Sequence, residues 1–444
     1  MKDPLTHRRI LGIALPLVAS NITVPLVGLA DAGVVGQLPD SAALTGAVGL
    51  GAAILSMMYW MFGFLRMGTV GLTSQASGAE DTGEVSALFF RATGLGIVFG
   101  IALIILQIPA FWMAFTIAPA TDQVEGFTHT YLSIRIWSAP AAIAIYGITG
   151  WLIGQERTRA VMLILTWING MNILLDIVFV LQLDMGVAGV ALATLIAEVT
   201  GLALGLWLCR DAFVGAAYKR LDHILDRAKL KAMAILNTDI MIRSLLLLIG
   251  FSSFTFIGSG FGEVTLAANT VLTQFVFVTA YAMDGFAFAA EALIGRFFGA
   301  RNPAKVREAA IKTTMWGAII CTTLAVAFYI FGPEIIDRLN KDPAVQAEAR
   351  VYLWWMILTP LIGWPAWMLD GIFIGATRSR DMRNMMVISF VVYVFLLLIC
   401  VPTLGNTGLW LAITLFYVVR GVTLGARIPA LIRAAAPADR VETL

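Results

Sequence analysis

One segment of this chain recurs in its second half, and this internal repeat constrains the fold more than any other feature. Residues 131–159 and residues 352–380 each run from an apolar stretch into a short loop that carries two arginines. The positions that match in register are Tyr131/Tyr352, Leu132/Leu353, Gly150/Gly371, Ile153/Ile374, Gly154/Gly375, Arg157/Arg378 and Arg159/Arg380. A second match pairs Gly186-x-x-Gly189-x-x-Leu192-Ala193 with Gly405-x-x-Gly408-x-x-Leu411-Ala412. Chance similarity between glycine- and leucine-rich helices is the alternative, but this number of identities in register favours two related halves.

The composition is that of a membrane protein. Of the 444 residues, 59% are hydrophobic and 13% are charged, whereas soluble globular domains carry about 25% charged residues. A spanning helix needs roughly 20 predominantly apolar residues. Stretches that fit cover residues 10–36, 43–76, 87–110, 127–153, 160–183 and 188–209, and then 236–258, 266–295, 309–331, 349–375, 385–404 and 408–430. The sequence therefore predicts an all-α polytopic membrane protein with twelve transmembrane helices in two pseudo-symmetric six-helix lobes.

A polar segment separates the two sets of spans. It predicts an N-terminal lobe at residues 1–209, a cytoplasmic linker at 210–235 and a C-terminal lobe with a cytoplasmic tail at 236–444. Lysines and arginines gather in the loops on the side of the N-terminus, and cytoplasmic loops carry such an excess. Both termini are therefore predicted to be cytoplasmic. Because six spans return the chain to the same side, both lobes enter the membrane in the same direction, which is typical of transporters.

Two acids lie at membrane depth in the outer part of the N-terminal lobe, Asp31 in span 1 and Asp176 in span 5. Ionisable side chains at that depth are costly and indicate a functional site. Polar residues on the same face of span 5, or at a similar depth in neighbouring spans, are Asn169, Asn172, Thr194 and Tyr131. No arginine is expected beside them. Two nearby carboxylates in low dielectric cannot both stay ionised, so the group predicts a proton or sodium site. The alternative is a neutral hydrogen-bond network that holds helices together.

A second group of buried charges lies toward the inner side and belongs mostly to the C-terminal lobe. Asp239 and Arg243 are four residues apart on span 7, the spacing of an intrahelical ion pair. The other members of this predicted charge network are Asp284, Glu291, Asp370, Arg66 and Arg420. Such acids and arginines can neutralise each other as a structural lattice. The repeat places Ser252 opposite Asp31 and Val18 opposite Asp239, so the charges are not duplicated, and we expect ion coupling in the N-terminal lobe.

Span 1 contains two prolines, Pro16 and Pro25, before Asp31. Proline removes a backbone donor and permits a kink. The two residues are therefore candidates for a hinge that moves when Asp31 titrates, and a static kink is the alternative. Candidates for lining a substrate cavity are Asn169, Ser20, Met57 and Met61. Flexible, polarizable methionine suits a pocket for varied organic cations, and packing against lipid explains these methionines equally well.

Several kinds of chemistry are disfavoured by the sequence. No segment matches the phosphate-binding loop G-x-x-x-x-G-K-[ST], so an ion gradient is expected to supply the energy. The histidines, His7, His129 and His223, are dispersed, and the three cysteines have no metal-binding or redox spacing. We therefore expect neither an enzyme nor a cofactor. The only metal expected is a sodium ion at Asp31 and Asp176, if sodium rather than the proton is the coupling ion.

Four segments carry motifs that can be compared with a known family. They are Ser20-Asn21-x-x-x-Pro25-Leu26 before Asp31, Asn172-x-x-x-Asp176, Asn237-x-Asp239-Ile240-Met241-x-Arg243-Ser244 and Asp370-Gly371-x-Phe373-Ile374-Gly375-Ala376-Thr377-Arg378. Together with the twelve spans, they resemble the multidrug and toxic compound extrusion (MATE) transporters, and within them the bacterial DinF-like branch. The resemblance covers essentially the whole chain. It implies that Asp31 and Asp176 couple cations, with Asn172, Thr194 and Tyr131 assigned to the same site by their positions.

The resemblance implies a multidrug efflux antiporter of the bacterial inner membrane. It would export amphipathic, often cationic organic compounds in exchange for protons or Na⁺ by alternating access. The expected partners are small drug-like molecules and the lipid bilayer, with no nucleic acid, and the expected state is a monomer. One rival is a flippase for a lipid-linked precursor, which the scarcity of intramembrane arginines disfavours. An intramembrane enzyme or a structural membrane partner is a further rival, disfavoured by the missing catalytic constellation and by the buried titratable groups.

Overall fold

A computed structural model describes residues 4–38, 41–214 and 221–437, apart from the side chains of residues 24–26 and 221. Within these ranges the regular secondary structure is helical, with no β-strand. Twelve helical stretches in the same ranges are long and apolar enough to cross a membrane. The predicted all-α polytopic fold with twelve spans is confirmed.

The helices of the first half of the chain form six spans. They are α1 (His7–Val35), α2 (Ser41–Trp60), α3 (Gly63–Gly78), α4 (Thr82–Ile105), α5 (Gln107–Ile117), α6 (Asp122–Arg135), α7 (Ala139–Gly154), α8 (Thr158–Asp176) and α9 (Gly186–Leu208). A short 3-10 turn, Ile136–Ser138, joins α6 to α7, and a π-helical turn, Ile177–Gln182, continues α8. Single spans therefore combine α2 with α3, α6 with α7, and α8 with the π-helical turn.

The second half repeats this plan with longer helices. They are α10 (Leu221–Ile224), α11 (Arg227–Ser259), α12 (Glu263–Gly299), α13 (Pro303–Leu339), α14 (Pro343–Gly375), α15 (Ser379–Leu404), α16 (Asn406–Gly425) and α17 (Ile428–Ala434). In this half α14 packs against α12, α13 and α16, whereas in the first half α9 packs against α6, α7 and α8.

The chain packs into two compact units. The N-terminal unit comprises Ala19–Thr73 and Asp81–Met233, and the C-terminal unit comprises Met1–Val18, Ser74–Glu80 and Ala234–Leu444. The beginning of α1 and the end of α3 thus belong to the C-terminal unit. These units are defined by packing, so the division into repeated lobes at a linker over residues 210–235 stays a prediction.

The internal repeat is visible in the backbone at the ends of α7 and α14. Glu156 and Thr377 occupy equivalent positions and have left-handed φ angles of 63° and 52°. In each loop the N–H of the following arginine donates to the carbonyl five residues earlier, at 2.8 Å in the first copy and 3.0 Å in the second. This bond across a left-handed residue terminates helices by satisfying their last carbonyls. The two matching sequences therefore build the same helix ending twice.

Gly150 and Gly371 show why both copies of the repeat have glycine at this position. A Cβ on Gly150 would clash with the backbone of Arg66 in α3, and a Cβ on Gly371 would clash with the backbone of Ala287 in α12. Arg66 and Ala287 are themselves equivalent positions of the repeat. Glycine at such points lets two membrane helices approach backbone to backbone. Each half of the chain thus uses the same close helix contact.

Candidate functional site

Asp31 and Asp176 come together inside the N-terminal unit. Asp31 lies near the end of α1 and is 8% exposed, and Asp176 is the last residue of α8 and is 0% exposed. Their carboxyl groups lie within hydrogen-bonding range of each other. Within the described part of the chain, Asp31 Oδ1 and both oxygens of Asp176 are buried without a hydrogen-bond donor. A carboxylate is only an acceptor, so the pair forms a hydrogen bond when one member holds a proton.

The helix that carries Asp176 changes its geometry at that residue. α8 ends at Asp176, and the next six residues form the π-helical turn Ile177–Gln182. π-helical turns are rare and often occur at functional sites. The apolar sequence of this turn carries no signal that distinguishes it from an ordinary helix, and sequence analysis predicted a regular span here.

Two amides of α8 connect the acid pair to neighbouring helices. Asn172 Nδ2 donates to Thr194 Oγ1 of α9 at 2.9 Å, and Thr194 Oγ1 donates to Val190 O at 3.0 Å. Asn172 Oδ1 is buried without a donor among the described residues. Asn169 Nδ2 donates to Thr23 Oγ1 of α1 at 2.6 Å. The predicted grouping of Asn172 with Thr194 is therefore observed, and Asn169 links α8 to α1.

The hydroxyl of Thr23 was not predicted as part of the site. Thr23 Oγ1 accepts from Asn169 and donates to Ser20 O at 2.7 Å. It lies eight residues before Asp31 on the same helix. The amide of Asn169 therefore binds α1 at a point that precedes Asp31 in the chain. The spacing of Thr23 from Asp31 in the sequence could have indicated a shared helix face, but its partner on α8 is known only from the structure.

An arginine lies beside the acid pair, contrary to the expectation that none would. Arg135, at the end of α6, is buried and donates to Glu198 at 2.8 and 3.2 Å and to Ser138 Oγ at 2.6 Å. Its positive charge acts on Asp31 and on the buried Tyr131. Glu198 of α9 holds the guanidinium in a two-bond arrangement, which compensates its burial. The signal in the sequence was Glu198 itself, an intramembrane acid that needs a basic partner.

The remaining predicted residues of the N-terminal region are placed as follows. Ser20 is buried, whereas Met57 and Met61 are exposed. Pro16 and Pro25 both lie within α1, which is helical without interruption from His7 to Val35, and the side chain of Pro25 lies outside the described residues. The exposure of the two methionines is compatible with either a cavity or lipid, so their assignment stays a prediction.

The inner charge network separates into two sets of ion pairs in the C-terminal unit. Asp239 accepts from Ser379 Oγ at 2.8 Å and from Arg383 at 2.6 Å. Arg243 instead pairs with Asp370, which also accepts from Arg420 at 2.7 Å. The predicted pairing of Asp239 with Arg243 was therefore wrong. Both side chains of α11 instead pair with side chains of other helices, α14 and α15.

The other members of the predicted network lie elsewhere. Asp284 is half-buried and Glu291 is buried, both on α12. Arg66 lies on α3 in the N-terminal unit. Across residues 4–38, 41–214 and 221–437, no group of three or more His, Cys, Asp or Glu side chains is arranged to hold a metal ion.

Comparisons with known proteins agree on one family. The MatE family model matches residues 16–178 and 240–399. The chain is 38% identical over 416 residues to DNA damage-inducible protein F of Escherichia coli, covering 93% of this chain and 90% of that protein. It is 25% identical over 428 residues to the probable multidrug resistance protein NorM of Bradyrhizobium diazoefficiens, covering 91% and 89%. Its fold is similar to that of the Vibrio cholerae MATE transporter VcmN in the bent form, with a TM-score of 0.83, 18% identity, and 96% and 97% of the two chains covered.

Proposed function

We propose that this chain, which belongs to the MatE family of multidrug and toxin efflux transporters, exports amphipathic, often cationic organic compounds in exchange for protons. Members of the family are secondary transporters, not enzymes, and need no cofactor. The membrane-spanning fold of the family implies small-molecule substrates and a lipid bilayer as surroundings. The identity of the substrates, the coupling ion and the residues that bind it are part of the proposal.

The observation that carries the proposal is the buried contact between Asp31 and Asp176. Three of their four oxygens have no donor among the described residues, and one shared proton would complete the pair. Glu198 accepts two hydrogen bonds from the guanidinium of Arg135. Because that guanidinium is already paired, it does not form an ion pair with Asp31 or Asp176, and the two acids can exchange a proton. Without that proton, the two carboxylates repel each other and attract a cation.

The same negative charge can bind either a proton or an organic cation, which accounts for exchange. When the acids lose their proton to the cytoplasm, their charge favours binding of a cationic compound. When a proton arrives from outside, the charge falls and the compound is released. The conformational change is a population shift, and its size is limited by the difference in proton affinity between the two states.

α1 is the element that we propose moves with protonation. It carries Asp31, contains Pro16 and Pro25, and is held to α8 by the bond between Asn169 and Thr23. Each proline removes one helical hydrogen bond, which lowers the cost of bending. A bent form is described for the VcmN transporter, and this supports a bending motion in a protein of the same fold. We further propose a monomer in the bacterial inner membrane with both termini in the cytoplasm.

Transport by purified protein in proteoliposomes tests the proposal. Uptake of ethidium into inside-out vesicles is measured under a proton gradient alone and under a sodium gradient alone. We expect transport with the proton gradient only, and loss of transport in Asp31→Asn. The matched control is Asp122→Asn, which neutralises an exposed acid of the same unit and should transport like the wild type.

Transport driven only by sodium would reassign the coupling ion, and wild-type transport by Asp31→Asn would exclude Asp31 from coupling. Movement of a lipid-linked precursor without ethidium transport would favour a flippase.

A further inference from the structure

The C-terminal unit contains a buried cluster in which positive charge exceeds negative charge. Arg243 of α11, Asp370 of α14 and Arg420 of α16 are 7%, 5% and 2% exposed. Both arginines bind the same carboxylate oxygen, Asp370 Oδ2. The three side chains together carry one net positive charge. Asp239, one turn before Arg243 on α11, is already occupied by Arg383 and Ser379.

The hydrogen bonds of this cluster are incomplete. A guanidinium has five N–H donors, and among the described residues Arg243 and Arg420 each use one terminal nitrogen, on Asp370. The Nε atoms of both arginines are buried without an acceptor in the same part of the chain, and Asp370 Oδ1 is buried there without a donor. An arginine that serves only to neutralise a carboxylate usually binds it through two parallel bonds. Here both guanidiniums have donors left over, and buried donors without acceptors are costly.

A third donor lies beside the guanidinium of Arg420. The guanidinium of Arg420 is 5.7 Å from the ring centre of Tyr417 and 5.5 Å from that of Phe416. The hydroxyl of Tyr417 is buried and has no partner within the described ranges. Cation–π attraction to the two rings stabilises the guanidinium without using its N–H donors. The cluster thus contains N–H and O–H donors and an excess of positive charge, and its three charged side chains are buried.

We propose that the cluster of Arg243, Asp370 and Arg420 is a binding site for a small monovalent anion of the size of chloride. Such an anion accepts from the free guanidinium edges and from Tyr417, and it cancels the excess charge. The burial of all three side chains favours a small anionic group, and the carboxylate of Asp370 disfavours a doubly charged one. The anionic group is either a free inorganic ion or the carboxylate end of an organic molecule. The site lies wholly in the C-terminal unit and does not depend on the proposed coupling site.

The thermal stability of the purified protein tests the site. The Tm is measured at constant ionic strength while sodium gluconate is replaced by sodium chloride, and in a second series by sodium acetate. A ligand that binds only the folded state raises the Tm in a concentration-dependent way. We expect chloride to raise the Tm of the wild type. Arg420→Gln should remove this response, whereas Asp370→Asn, which removes the competing negative charge, should lower the half-saturating chloride concentration by about tenfold.

A matched control and a second measurement keep the test independent of folding defects. Arg350→Gln removes an arginine of the same unit that pairs with Asp337 at an exposed site, and it should respond to chloride like the wild type. Crystals of the wild type grown in sodium bromide should give an anomalous peak beside Arg243 and Arg420. An acetate response equal to that of chloride would identify the carboxylate of an organic molecule as the ligand, and a chloride response alone would identify the free ion. A Tm that is independent of the anion together with no bromide peak would overturn the proposal, as would an unchanged chloride response in Arg420→Gln.

Discussion

In the N-terminal unit, Asp31 faces Asp176 and the nearby Arg135 is bound by Glu198. In the C-terminal unit, Asp370 lies between Arg243 and Arg420. Among the described residues, the first arrangement leaves three carboxylate oxygens and one arginine Nε buried without partners. The second leaves two arginine Nε atoms and the oxygen Asp370 Oδ1 buried without partners. Unpaired acceptors predominate in the first arrangement and unpaired donors in the second, which is why we propose a proton or cation for the first and an anion for the second.

The two arrangements lie at positions where the two copies of the internal repeat carry different residues. In the repeat, Ser252 is equivalent to Asp31, and Thr149 is equivalent to Asp370. The hydroxyl of Thr149 donates to Ile145 O of its own helix at 2.7 Å, so this donor is paired locally. The glycine contacts and the helix endings, by contrast, are the same in both copies. The two copies thus share a close helix contact and a helix ending and differ in their buried charges. The chemistry of one unit therefore cannot be inferred from that of the other.

The largest effect is expected from Asp370→Asn. The substitution leaves two buried guanidiniums without a counter-charge, and breaking a buried ion pair costs about 3–5 kcal/mol. In sodium gluconate, the free energy of unfolding of this variant should fall by about that amount relative to the wild type. Chloride should restore a large part of it if the cluster binds an anion. A variant as stable as the wild type in gluconate would show that the cluster is balanced by another charge, and the contrast between the units would fail.

A somewhat smaller effect is expected when the N-terminal unit is made to resemble the C-terminal one. Glu198→Gln frees the guanidinium of Arg135 beside Asp31, and should lower the free energy of unfolding by about 3 kcal/mol. The freed arginine should also bind Asp31 and abolish proton-driven transport. The double variant Arg135→Gln, Glu198→Gln removes both charges and should recover most of the stability. Full transport by Glu198→Gln would show that the pairing of Arg135 does not matter for Asp31.

Asp239→Asn should destabilise less than Asp370→Asn. The partner of Asp239 is Arg383, whose side chain is 33% exposed, so water can solvate the guanidinium when the carboxylate is gone. We expect a loss of about 1 kcal/mol, measured by chemical unfolding. The difference between the two variants reflects both the burial and the number of the arginines left without a partner, because Asp370 binds two buried arginines and Asp239 binds one that is partly exposed. Equal losses in the two variants would contradict this explanation.

The smallest effect is a change of shape in α1. Spin labels at Leu29 of α1 and Leu174 of α8, which are both exposed, report the distance between the two helices. Protonation of Asp31 changes its preferred partners, because the protonated acid is also a donor. The distance distribution should therefore differ between low and neutral pH in the wild type and should be independent of pH in Asp31→Asn. Identical distributions in a transporting wild-type protein would make Pro16 and Pro25 static features.

The twelve spans, the repeat and the residue types at membrane depth could all be predicted from local sequence. Apolar length and composition are sufficient for the spans, and helical spacing is sufficient to place Asn172 and Asp176 on one face of α8. Matching local sequence also determined the two left-handed helix endings at Glu156 and Thr377. These features depend on neighbours along the chain, so they are contained in a short window of residues.

The pairing of the buried charges depends on how the helices pack and could not be predicted from local sequence. Spacing along α11 predicted a bond between Asp239 and Arg243, yet Asp239 binds Arg383 of α15 and Arg243 binds Asp370 of α14. Arg135 is buried beside Asp31 because α6 and α9 pack together and bring Glu198 to it. Ion pairs form between the groups that are closest in space. In a helix bundle those groups are often separated by more than a hundred residues, a relation that no local pattern encodes.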